Sequence, residues 1–341
     1  MRCVSGPNAG KVLIAGGDNR NNYPRASTEL YDPATNTVVN GPAMKMPRSG
    51  HTATAIPSGP NAGKILVAGG IGEDGELSST ELYDPATNAF SPGPAMRTTC
   101  ALCRATVITL GKNAGKILFV GGYDPHGVLG ATELYDPGAN AFAPGPIMHH
   151  ARVAFTATVI PSGKNAGEIL IAGGAQLGGD DNDDSTELYD PATDKFVRGP
   201  TIKPTRDAAT ATAITSGPNA GKILIAGGEY DDKNETGRDA SLASTELYDP
   251  DTSTIAPGPA MNKRRVAHTA TPILSGKNAG RILIAGGIEK DTDKNGSGLF
   301  RNLYSTELYD PVTSTFAPGP TMNWDRYEAV AVQMPPAPPV P

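Results

Sequence analysis

Six near-copies of one unit fill almost all of this 341-residue chain, and such a repeat limits the fold more than any other feature. The string Thr-Glu-Leu-Tyr-Asp-Pro recurs with its tyrosine at Tyr31, Tyr83, Tyr135, Tyr189, Tyr248 and Tyr309. A Gly-Gly pair closing a short apolar run recurs with its first glycine at Gly16, Gly69, Gly121, Gly173, Gly227 and Gly286. Each of the first five tyrosines is followed 38 residues later by the first glycine of the next pair, whereas the distance from a pair to the next tyrosine ranges from 14 to 23. Length variation is therefore confined to one segment of the unit.

Each unit reads as four short strands. His51 to Ile56 alternates small residues; Lys64 to Ala68 is an apolar run ending in the Gly pair; Thr80 to Tyr83 closes on Asp84-Pro85; a last strand surrounds Ala89-Phe90. Gly 41 and Pro 31 punctuate these runs, and no window carries apolar residues at helical spacing. Four antiparallel strands in a unit of about 50 residues predict a propeller blade, hence an all-β, six-bladed β-propeller.

The Gly pair, the Tyr-Asp-Pro and the runs Met44-Arg48-His51 and Met261-Arg265-His268 resemble kelch repeats, within the superfamily that includes galactose oxidase. The resemblance covers residues 4 to 334. It departs from the pattern at the fourth strand, where a tryptophan is usual and this chain has Val38, Phe90, Phe142, Phe196, Ile255 and Phe316. Residues 1-334 are expected to form one propeller, with blades at about 1-44 plus 322-334, 45-96, 97-148, 149-202, 203-261 and 262-321. The C-terminal strand then completes the N-terminal blade, which removes an open sheet edge. Residues 335-341 read as a stiff Pro-rich tail or linker to a larger multidomain chain. A start in mid-repeat is what a trimmed precursor with a removed signal peptide gives, so the reading favours an extracellular or cell-surface location.

A net charge of −6 argues against nucleic acid or an anionic membrane surface as partner. No apolar run is long enough to span a bilayer. Cys3, Cys100 and Cys103 are too few for a disulfide framework. Cys100 and Cys103 are not read as a metal knuckle, because residues three apart in a strand point to opposite faces.

In a four-stranded meander the variable loop between strands two and three shares a face with the lead-in to the next blade. Uniform turns suit a scaffold and variable loops a site. On that face the candidate ligand-binding residues are Tyr123, Glu229 and Tyr230, above a ring formed by Arg48, Arg152, Arg206, Arg265 and Arg326. Converging guanidinium forks suit carboxylate or hydroxyl groups. In kelch adaptors of ubiquitin ligases similar arginines line a peptide pocket, and the same ring also serves to hold blades together. The repeated Glu29, Glu81, Glu133, Glu187, Glu246 and Glu307 read as scaffold.

Asp291, Asp293 and Asn295 lie in a D-x-D-x-N-G string that suits Ca²⁺, although Asn302 stands where the distal Glu of a full calcium loop belongs. Calcium is thus the one candidate cofactor on hard ligands, and the long acidic loops of the last three units should form a wall beside the channel. His126, His149, His150 and Cys100 form a second candidate cluster, for zinc or copper. The Tyr-His dyad of the copper oxidases is missing, and no nucleophile elbow or phosphate loop is present. A monomeric binding module for a protein segment or a glycan is the favoured function, with a carbohydrate-directed (mutarotase-like) or metal-dependent (oxidase-like) enzyme as the rival.

Overall fold

The computed structural model of the protein describes residues 7–19, 21–175, 185–232, 238–292 and 298–334. Every regular element among them is a strand. Six four-stranded antiparallel sheets carry the repeat, each with its strands in meander order. In the second unit these are Thr52–Ala55, Ile65–Ala68, Thr80–Asp84 and Ala89–Pro92. The first strands of successive sheets neighbour one another in a continuous cycle around a central channel, so the sheets are the blades of a propeller. In the first blade the innermost position is taken by the C-terminal strand Val330–Gln333, which pairs antiparallel with Val12–Ala15.

The apolar pattern explains where the core sits. The second strands, such as Ile65–Ala68 and Ile117–Val120, are buried at every position because blades cover both of their faces. Ile65 and Val67 pack with Tyr83 and Phe90 of their own blade and with Leu13, Ala15 and Leu30 of the preceding one. The fourth-strand aromatics stack on the repeat tyrosines, with ring centroids 5.0 Å apart for Tyr83 and Phe90 and 5.3 Å for Tyr189 and Phe196.

On the face of uniform turns the tyrosine hydroxyls tie blades together. Tyr83 donates to Asn88 and accepts from Asn8 of the preceding blade, and Asn278 of the last blade reaches Tyr31 and Asn36 of the first. The Gly pairs have a stereochemical cause. Gly227 has φ +62°, and a Cβ there would lie 2.5 Å from the carbonyl oxygen of Arg265 and 2.8 Å from the His268 ring.

The variable loops of the last two blades build a sheet of their own. Glu229–Asp232, Arg238–Ser241, Ile288–Thr292 and Gly298–Asn302 form four antiparallel strands that cross from one blade to the next. Ser241 and Lys290 bond reciprocally across it, and Lys290 pairs with Glu229.

Candidate functional site

The five ring arginines lie inside the blades. Their side chains are 0–1% exposed, and their donors are engaged by the protein itself. Arg265 donates Nη1 to the carbonyls of Gly286 and Ser305, Nη2 to Ser305 Oγ and Nε to Glu307. Arg48, Arg206 and Arg326 repeat the pattern with Glu81, Glu246 and Glu29, and Arg152 pairs with Glu187. The same glutamates accept backbone N–H groups from the segment leading into the blade, as Glu81 does from Lys45 and Met46. The expectation of an arginine floor to the pocket is therefore corrected. Arg265 spends four of its five donors on protein acceptors and its side chain is fully buried, so it does not face a ligand in the channel. Arg326 and Glu29, 297 residues apart, apply this clamp between the two ends of the chain.

The metal-ligand candidates do not converge. His126 is exposed at a turn tip, where its backbone N–H bonds Asp124. His149 Nδ1 lies 3.0 Å from Glu187, and His150 donates its backbone N–H to the same carboxylate. Cys100 forms a disulfide with Cys103. The two cysteines share a face because Leu102 between them has φ 53° and turns the chain before the strand begins at Arg104, which corrects the strand-based expectation of opposite faces. Among the described residues no three His, Cys, Asp or Glu side chains are placed to hold a metal ion. Asp291 pairs with Arg264 at 3.3 Å, while Asp293 and Asn295 fall outside the described residues. Glu229 is engaged by Lys290, and Tyr230 is half-buried in the loop sheet.

The channel itself presents different chemistry. At the rim, the residue two places after each ring position is in the left-handed conformation: Gly50, Leu102, Ala154, Ala208, Ala267 and Glu328, with φ from 46° to 57°. Most of them join around the channel by backbone hydrogen bonds, Leu102 N to Gly50 O at 2.7 Å and Glu328 N to Ala267 O at 2.9 Å among them. Glu328 is the one ionisable member. Two places further, Thr52, Thr156, Thr210, Thr269 and Val330 face a cavity of about 260 Å³, and the equivalent third-blade position is Arg104. The sequence reading passed over both Glu328 and Arg104, although each is visible as the exception at its position in the repeat.

Gly50 lies between them. A Cβ there would sit 2.8 Å from Leu102 Cδ2 and in ordinary contact, 3.4 Å, with a Glu328 carboxylate oxygen. Burial, reinforced by Asp18, pushes the Glu328 carboxyl up to about 7 against the pull of Arg104. Burial likewise raises Asp18 and lowers Arg104. Above the rim a second cavity of about 650 Å³ is walled by Asp18, Tyr23, Glu73, Tyr327 and Glu328 from the first two blades' loops. Tyr327 donates to Asn22 at 2.5 Å. Tyr123, alone of the sequence candidates, belongs to this neighbourhood. Its hydroxyl is pushed up by burial and then by Glu76, Glu328 and Asp18. His51 and His268 beside the channel are held down to about 3 by burial first and the neighbouring arginines second, so both are neutral at physiological pH.

The arrangement is an acidic, tyrosine-rimmed mouth over a channel with one cation inside. The family model of the Kelch motif matches residues 47–97, which span the second of the six blades. No curated protein matches the sequence.

Proposed function

We propose that this kelch-repeat β-propeller, a fold whose repeats generally serve as protein-interaction modules, holds a partner segment at the channel mouth by a Lys or Arg side chain. The observation that carries this reading is the pairing of two desolvated carboxylates, Asp18 and Glu328, on one open cavity. Two carboxyls whose charged forms are both disfavoured by burial, with Asp18 further raising Glu328, gain from a cation placed between them. The rim tyrosines Tyr23, 66% exposed, Tyr123 and Tyr327 add flat amphipathic surface of the kind that anchors protein interfaces. Arrays of basic, neutral and acidic peptides, run beside a glycan array, test it. Basic peptides bind, and Asp18→Asn weakens them at least tenfold. Selective binding of acidic peptides, or of glycans alone, would sink it.

Glu328 supports a second reading, because a carboxyl titrating near neutrality beside a cation suits proton transfer. Turnover of a reducing sugar that disappears in Glu328→Gln would favour that enzyme. Calcium on the Asp291 string is a separate proposal: a melting temperature lowered by EDTA and restored by Ca²⁺ alone is its signature.

A further inference from the structure

The third blade breaks the arginine clamp in two places at once. Where five blades have arginine it has Cys100, and where those blades have the serine that receives Nη2 (Ser27, Ser79, Ser185, Ser244 and Ser305) it has Ala131. The carboxylate of the clamp is retained. Glu133 is 8% exposed, and it accepts the backbone N–H groups of Arg97 and Thr98 as its counterparts do. Thr98 Oγ1 donates to Glu133 at 2.7 Å, in place of the arginine Nε. Five clamp glutamates have an arginine within 3.5 Å; among the described residues Glu133 has no ion-pair partner.

The absent guanidinium leaves space. A cavity of about 160 Å³ is lined by Cys100, Phe119, Gly121, Ala131 and Glu133, and exposed Arg97 and Thr98 form its rim. That volume is about ten times what a single water needs. Of the acceptors that hold the guanidinium elsewhere, the Gly121 and Ala131 carbonyls and the Glu133 carboxylate are all retained, although Cys100 Sγ lies 3.3 Å from the Gly121 oxygen.

We propose that the third blade binds an alkylguanidinium group from outside the chain, seated on Glu133 and the Gly121 and Ala131 carbonyls as the other five blades seat their own arginine. The shape argument favours guanidinium over ammonium, because the acceptors are arranged for a planar fork with donors on two edges. The site is distinct from the channel mouth.

Titrating the whole protein with ethylguanidinium and with ethylammonium, followed by calorimetry, tests the proposal. Ethylguanidinium binds one site at least tenfold more tightly than ethylammonium. The double variant Cys100→Arg/Ala131→Ser rebuilds the resident clamp and abolishes that binding. Asp18→Asn leaves this binding unchanged, which separates it from the mouth. A capped Gly-Arg-Gly peptide that competes identifies a partner's arginine as the source; a peptide that fails where ethylguanidinium succeeds identifies a small free guanidine. Absence of ethylguanidinium binding, or equal binding by the clamp-restored variant, overturns the proposal.

Discussion

Replacing Glu328 by Gln should stabilise the protein in alkaline solution and do little in acid. The folded protein holds this carboxyl at about 7 against 4.5 for the free group. A folded value raised above the unfolded one means full stability below about pH 4.5, lost as the pH rises through 7. That interval corresponds to about 3 kcal/mol, an upper figure because the side chain is partly open to channel water. Glutamine keeps the shape and one acceptor without the charge. Urea unfolding of both proteins from pH 4 to 9 gives the difference directly. The curves should coincide near pH 4, diverge between 5 and 7, and stand about 2–3 kcal/mol apart at pH 8.5, with the variant the more stable. A difference that is flat with pH would refute the desolvation argument, and so would one centred near 4.5.

Three further outcomes follow from the scaffold. His51 and His268, held down to about 3 against 6.5 unfolded, contribute stability present above pH 6.5 and lost as the pH falls towards 3; proton NMR should show neither ring titrating between pH 8 and 4.5. Arg265→Met leaves Glu307 without its buried cation and should cost about 3–5 kcal/mol by denaturant unfolding, while mouth ligands bind the folded fraction unchanged. Gly227→Ala should destabilise by at least about 1–3 kcal/mol, read as a lowered melting temperature, because a left-handed φ and the Arg265 carbonyl both oppose a methyl group.

The strands were legible because the repeat states the same instruction six times, and each copy agrees with its neighbours in spacing and apolar pattern. The alternation of uniform turns and variable loops was legible for the same reason. The direction of the ring arginines was not. A repeated arginine at a strand start fits a pocket floor and a buried clamp equally well, and only the facing Glu81, Gly69 and Ser79 acceptors decide between them. The informative residues were the exceptions: Glu328 among glycine, alanine and leucine, Arg104 among four threonines and a valine, and Cys100 with Ala131 in the broken clamp. The loop sheet left no repeat signal, because Asp239–Ala240 and Asp291–Thr292 pair across two blades through segments that occur once each.

The most direct measurement of the central claim is calorimetric titration of wild type, Asp18→Asn and Glu328→Gln with the strongest peptide selected from a basic array. Submicromolar to micromolar binding that weakens at least tenfold in each variant, with circular dichroism unchanged, is the predicted result. Equal affinity in all three proteins would contradict the assignment of the mouth as the binding site.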